Sequence, residues 1–298
     1  MDATPVDGYR LYWKDQEASS WFRDRQGRSP TGRSFYNGKL VTKLRKAAAS
    51  QAHITLMEAT VLEILRDAKS SHVTGVSCSM GNSPAEAFFA PLTILADGPK
   101  SNFRSQLTSR TPTSESRSWG LILTDAKLPV PRYTHAVLGH GPPILIYHIG
   151  IQETRILIDI PQKLYDEIGG SSAAVRAYLQ ERVTAVVPDC IRPQLLAAIR
   201  SNRRRSMSNT WMPATENTVP GIILLGDASN MRHPVAGGGM TVALKDVVLL
   251  SNMLDPARSK PWGYQGDCDE DARVPLEEKE IQRTAEHTRP ATLLFVCP

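Results

Sequence analysis

Apolar residues recur along the chain at two spacings, and these divide it into strands and helices. Ile222-Ile223-Leu224-Leu225 is an all-apolar run that ends at a glycine, the form expected of a buried parallel strand. Downstream, Met240, Leu244, Val247, Val248 and Leu254 fall at helical spacing, so a helix is predicted from Met240 to Leu254, stopped before Asp255-Pro256. Upstream, Leu40, Val41, Leu44, Ala47 and Ala48 share the inward face of a helix that follows Gly38, with Lys39, Lys43, Arg45 and Lys46 on its polar face. Strands are predicted at 8–13, 54–57, 61–65, 73–77 and 92–96, with a loop from Arg23 to Thr31. A β-rich middle follows at 120–123, 144–149 and 155–160, then helices at 173–183 and 193–199.

With 298 residues and 41% hydrophobic content, the chain can bury a sizeable core and has room for two packed domains. Met1 to Gly8 lacks the charged-then-apolar form of a signal peptide, and nowhere do about 18 apolar residues run together. The cysteines, Cys78, Cys190, Cys268 and Cys297, are scattered and form no C-x-x-C pair, which argues against a zinc site and makes a reducing compartment the default. Net charge is +5, partly from Arg200, Arg203, Arg204 and Arg205. Those arginines read as a solvated face, with anionic lipid or an acidic partner as the alternative. No aromatic platform accompanies them, so nucleic acid is not expected. A Gly-x-Ser-x-Gly elbow and a His-Glu-x-x-His helix are both missing, which removes the hydrolase and zinc readings, His135 and His140 included.

The richest chemistry lies in Gly226-Asp227 through Gly237-Gly238-Gly239-Met240. A carboxylate at a strand end, Asp227, can accept hydrogen bonds from sugar or ribityl hydroxyls. Gly237 to Gly239 lack Cβ atoms and let the backbone approach a flat ligand, while the next helix aims free N–H groups at it. An ordinary strand-turn-helix with a Gly-rich bend is the alternative for Gly-Asp alone.

Taken whole, residues 226–244 resemble the second flavin motif of the squalene monooxygenase (squalene epoxidase) family. Other stretches carry the same resemblance: Gly8-Tyr9, Thr31-Gly32-Arg33-Ser34-Phe35, Leu44-Arg45-Lys46-Ala47-Ala48, Arg205-Ser206-Met207 and Leu95-Ala96-Asp97-Gly98 followed by Ser101 and Arg104. Together they cover roughly residues 8–256.

The resemblance implies an α/β (α+β) fold, flavoprotein hydroxylase-like: a partial FAD-binding Rossmann-type domain with an inserted, mainly antiparallel β substrate domain. On that plan residues 1–38 are a substrate-domain strand and loop, 39–105 and 213–256 are FAD-domain segments, 106–212 form the β-rich substrate domain, and 257–298 are a divergent tail. It implies FAD contacts from Arg45, Val61, Asp97, Asp227, Gly238, Gly239 and Met240, and a substrate pocket lined by Tyr9, Tyr147, Pro234 and Val235. His233 is either near the flavin ring or a structural loop histidine. No side chain need act as nucleophile or base, because the oxygen chemistry belongs to the flavin.

The activity implied is insertion of one oxygen atom from O2 into an alkene of squalene or a related terpenoid. Its electrons would come from NADPH through a reductase, at the surface of the endoplasmic reticulum membrane. The chain departs from the family in having no Gly-x-Gly-x-x-Gly before Arg45, a loss expected to lower FAD affinity. It also has Val235-Ala236 where the family has Leu-Thr, and no recognisable apolar carboxy-terminal helices. A catalytically inactive remnant or incomplete gene model, and a non-enzymatic partner of a full-length flavoenzyme, are the alternatives.

Overall fold

The computed structural model describes residues 3–201, 204–234, 237–255 and 293–297. In chain order the strands are β1 (Ala3–Val6), β2 (Gly8–Trp13), β3 (Gln16–Trp21), β4 (Gly32–Phe35), β5 (Ile54–Glu58), β6 (Thr60–Arg66), β7 (Val73–Ser79), β8 (Glu86–Phe89) and β9 (Thr93–Leu95). They continue with β10 (Thr113–Thr124), β11 (Tyr133–Leu138), β12 (Ile144–His148), β13 (Glu153–Pro161), β14 (Arg205–Trp211), β15 (Ile222–Leu224) and β16 (Leu293–Cys297). The helices are α1 (Asn37–Ala49), α2 (Gln162–Glu167), α3 (Ser172–Tyr178), α4 (Thr184–Val186), α5 (Arg192–Arg200) and α6 (Gly239–Met253). They build two compact units, each from two stretches of chain: Met1–Arg45 with Ser114–Asn209, and Lys46–Thr113 with Thr210–Pro298.

The first unit is organised by a seven-stranded sheet in the order β14-β10-β13-β12-β11-β2-β3. From β10 through β13 and β12 to β11 the pairs are antiparallel, β11 then pairs parallel with β2, and β2 pairs antiparallel with β3. Strand alternation gives the sheet two distinct faces. One carries Val137, Ile144, Ile158 and Trp119 in a single cross-strand row, because the register pairs Val137 with Ile144, Ile144 with Ile158 and Ile158 with Trp119. These pack against Val175, Leu179, Leu195 and Ile199 from the helical segment, forming the largest core of the molecule. Each fully buried isoleucine stabilises the unit by about 1.5–3 kcal/mol relative to an exposed one.

The second unit holds smaller sheets. β6, β7 and β8 form an antiparallel three-stranded sheet, β5 pairs parallel with β16, and β9 pairs parallel with β15. Ile222, Ile223 and Leu224 are all buried, as the apolar run predicts for a parallel strand. Ile222 and Leu224 pack with Ile64, Val73, Phe103 and Leu107, while Ile223 faces Leu250 of α6.

Two helices differ from their sequence expectation. α1 carries no buried residue, and Val41 and Leu44, expected inward, are exposed. Hydrophobic spacing fixes which residues share a face, whereas burial needs an opposing element, and among the described residues none covers this one. α6 likewise leaves Met240, Leu244, Val247, Val248 and Leu249 exposed, and its buried side chain is Leu250. No described helix is long and apolar enough to cross a membrane.

Candidate functional site

In the second unit, two turns are held together by one side chain. β9 ends at Leu95 and delivers the turn Asp97-Gly98-Pro99, and β15 ends at Leu224 and delivers a single helical turn at Gly226–Ala228. Because β9 and β15 pair in parallel, both turns leave the same end of the two-stranded sheet. Arg104 joins them. Its Nε donates to the Ala228 carbonyl at 2.9 Å, and Nη2 donates to the carbonyls of Asp227 and Gly98 at 3.0 Å each. The Pro99 carbonyl accepts from both Nη1 and Nη2 at 3.1 Å.

The electrostatics of this cluster follow from burial. Arg104 is only 6% exposed, and losing water pulls its guanidinium below its ordinary value, opposed by the charges of Asp97 and Asp227. Burial likewise raises the Asp227 carboxyl, and Arg104 counteracts that rise. Among the described residues the Asp227 carboxylate accepts no hydrogen bond, so its lone pairs are available to a donor. Asp97 Oδ1 and Ser101 Oγ are buried and also lack a protein partner. Buried polar atoms are normally paired, so these two oxygens, with the half-buried Asp227 carboxylate on the neighbouring turn, mark a place where donors from a ligand fit.

Beside these turns, α6 begins without a side-chain cap. Its first intrahelical bond runs from Val242 N–H to the Gly238 carbonyl, which leaves the amides of Gly239, Met240 and Thr241 outside the helical ladder. Gly237, at φ +61°, and Gly226, at φ +62°, both occupy the left-handed region that favours glycine. A Cβ added at Gly237 or Gly239 would meet nothing within 4 Å, so open space lies over this helix start. Free amides and the positive end of a helix dipole suit an anionic or electron-rich group. Carboxylate, unpaired buried oxygens and open amides together fit the polyol and ring system of the flavin dinucleotide that the resemblance implies.

The first unit holds the two candidate pocket tyrosines. Ala136 of β11 is paired in register with Leu11 on one side and Leu145 on the other, so these three point to the same face, opposite the helical core. Tyr9 lies two residues from Leu11 and Tyr147 two from Leu145, which places both rings on that face with one strand between them, roughly 10 Å apart. Leu157 stands opposite Leu145, and Gly120 opposite Leu157, extending an apolar row across five strands. Tyr9 is 39% exposed and packs edge-on against Phe22 at 5.5 Å. Burial raises the phenol of Tyr147, and Arg155, directly opposite in register, opposes the rise. Near the end of this strand pair, burial and the Glu153 carboxylate push the Tyr36 phenol up to about 12.

The remaining candidates are placed as follows. Arg45 is exposed on α1, in the first unit. Val61 is half-buried on β6 against the core around Ile64, beside a bulge where the register shifts between Val61 and Glu63. Gly238 is the residue preceding α6, Met240 is exposed on its first turn, and His233 and Pro234 are half-buried in the loop before it. Val235 lies outside the described residues. Sequence reasoning counted Arg104 within the Asp-Gly motif without giving it a partner, and gave no role to Arg155. For Arg155 a signal existed: a charged residue in the middle of an Ile-rich strand, on the face away from the core.

The squalene epoxidase family model matches residues 89–261. Over 260 residues the chain is 40% identical to squalene epoxidase erg1 of Aspergillus fumigatus, covering 87% of this chain and 54% of that protein. Against squalene epoxidase 3 of Arabidopsis thaliana it is 36% identical over 257 residues, covering 86% and 48%. The chain thus spans about half the length of the curated relatives it matches. Among solved structures, the flavin-dependent brominase Bmp2 superposes with a TM-score of 0.68 at 13% identity, over 85% of this chain and 62% of its own. PqsL, a probable FAD-dependent monooxygenase from Pseudomonas aeruginosa, gives 0.67 at 20% identity, over 86% and 70%. These share the flavoprotein monooxygenase fold with the present chain: an α/β flavin-domain portion and a mainly antiparallel β domain.

Proposed function

Since the chain belongs to the squalene epoxidase family, we propose that it is built for FAD-dependent insertion of one oxygen atom from O2 into an alkene of squalene or a related terpenoid. The observation that carries this reading is the joining of the Asp97 and Asp227 turns in one unit with the uncapped start of α6. In this reading Asp227 accepts hydrogen bonds from the ribityl hydroxyls, and the amides from Gly238 to Met240 face the electron-rich edge of the ring. Asp97 and Ser101 supply buried oxygens near the dinucleotide, Arg45 a cation for its phosphates, and the backbone at Val61 a contact at the adenine end. Bound FAD, once reduced, supplies the oxygen activation that no side chain here provides.

The sheet face bearing Tyr9, Leu11, Leu145, Tyr147 and Leu157 is assigned to the apolar substrate. An apolar floor limits the water that would compete with transfer to an alkene. NADPH, through a reductase, is the electron source in this proposal, and the endoplasmic reticulum membrane surface is the place of action. Both assignments rest on the family.

A second reading, a catalytically silent chain that associates with a full-length flavoenzyme, is favoured by the exposed apolar residues Leu244, Val247, Val248 and Leu249 of α6. Large apolar side chains gathered on one helix mark an interaction surface. The two readings part at one measurement. The purified chain is scanned for flavin absorbance, titrated with FAD and then assayed with squalene. A stoichiometric, protected flavin supports the enzyme reading, and a folded, colourless chain that ignores FAD overturns it.

A further inference from the structure

We propose that Arg104 is the positioning residue of the flavin-facing cluster: one guanidinium holds the Asp97-Gly98-Pro99 turn against the Asp227-Ala228 turn, fixing the Asp227 carboxylate in place. The part concerning FAD rests on the function proposed above; the part concerning the two turns stands without any ligand.

Arginine is suited to this in a way lysine is not. Its donors lie in a rigid plane and fan outward, so they can reach carbonyls on two different loops at once. Here they do so across the chain. Gly98 and Pro99 lie a few residues before Arg104, whereas the Asp227 and Ala228 carbonyls are 123 and 124 residues away. A lysine ammonium is a point charge on a flexible stem and cannot span the same four acceptors. All five hydrogen bonds end on backbone carbonyls, so the side chain contributes little to any ligand directly and acts through what it holds.

Charge adds a second effect to this geometry. A half-buried carboxylate is disfavoured without an opposite charge, and Arg104 opposes the rise that burial gives Asp227, while Asp97 and Asp227 in turn oppose the fall that burial gives Arg104. The guanidinium therefore serves two carboxylates, one on each turn. Removing it leaves four carbonyls without their shared donor and both carboxylates without a nearby positive charge. A charged Asp227 is the form that accepts from two hydroxyls at once, so its ionisation and its placement are both needed for polyol recognition.

The test uses the chain with aspartate labelled at the carboxyl carbon, read by NMR against pH, with Asp227→Asn identifying the Asp227 signal. In Arg104→Met the Asp227 titration is expected to move upward by about one pH unit or more. In Arg104→Lys the charge remains and the titration stays near that of the unchanged chain, while FAD affinity falls about tenfold because the fork is gone. An unmoved titration in Arg104→Met, or unchanged FAD affinity in Arg104→Lys, overturns the proposal. Should Arg104→Met fail to fold, the unaltered chain still decides the matter through arginine side-chain nitrogen spectra. A held guanidinium predicts an Arg104 Nε–H that exchanges with solvent about a hundredfold more slowly than exposed arginines, and rapid exchange overturns it. If the unaltered chain takes up no FAD at all, the flavin reading falls, and the titration and exchange results alone decide whether Arg104 joins the turns.

Discussion

Tyr147 and Arg155 stand directly opposite each other on β12 and β13, with Tyr147 buried enough to raise its phenol and Arg155 charged enough to oppose that rise. The pair places a cation beside the apolar row that crosses this sheet face. Arg155→Met is therefore expected to push the Tyr147 phenol further above its ordinary value, visible as a later phenolate transition in an ultraviolet pH titration. Tyr147→Phe identifies the transition by removing it. A titration unaffected by Arg155→Met contradicts the pairing.

His135 gives the first unit a pH dependence with a definite sign. The ring is fully buried and stacks on Tyr12 at 6.0 Å. Nε2 accepts from the Val130 N–H at 3.2 Å, and Nδ1 lies 3.1 Å from the Tyr133 carbonyl, so the neutral ring with its proton on Nδ1 satisfies both partners. Burial lowers its value from 6.5 to about 4. The folded state thus binds fewer protons than the unfolded state between these values. The stability due to the neutral ring is full above pH 6.5 and is lost as pH falls toward about 4. The loss is on the order of 3 kcal/mol. Urea midpoints measured across this window should fall more steeply for the unaltered chain than for His135→Gln.

The core makes a sharper demand than the surface. Ile158 is fully buried in the sheet face under the helices, so Ile158→Ala is expected to cost about 2–5 kcal/mol in chemical denaturation. Leu244 on α6 is half exposed, and Leu244→Ala should fall within about 0.5 kcal/mol. Equal losses at the two positions would mean that α6 is covered in solution.

For the ligand cluster, Asp227→Asn keeps the shape of the side chain but removes its charge. FAD affinity, followed by quenching of flavin fluorescence, is expected to drop about tenfold or more, since hydrogen bonds to a charged group are worth about 1.5–3 kcal/mol. Unchanged affinity would move the ribityl contact away from Asp227.

Elements that bury a run or a regular alternation of apolar residues could be read from the sequence. β15 showed itself through the apolar run from Ile222 to Leu225 and β13 through alternating isoleucines, because both lie against a core. β3 did not, since Gln16–Trp21 is exposed along its whole length and an edge strand needs no pattern. β11, Tyr133–Leu138, went unread because its polar residues Thr134 and His135 interrupt the apolar spacing while its pairing to β2 is set from far away in sequence. The same divide runs through the candidate site. The Gly-Asp and Asp-Gly dipeptides at strand ends were visible as motifs, but the bond between them was not, because Arg104 reaches backbone carbonyls, and a carbonyl carries no residue identity.

The parallel pairing of β2 with β11 also sets an order of events during synthesis. Gly8 pairs with Tyr133, so the amino-terminal hairpin of β2 and β3 emerges from the ribosome long before its neighbour exists. At translation rates of about 5–20 residues per second, that interval is on the order of ten seconds. Throughout it, β2 offers an open edge and the side chains of Tyr9, Leu11 and Trp13 to whatever else is nearby. The strand at one end of the candidate substrate floor is thus also the one most in need of a chaperone while the chain is being made.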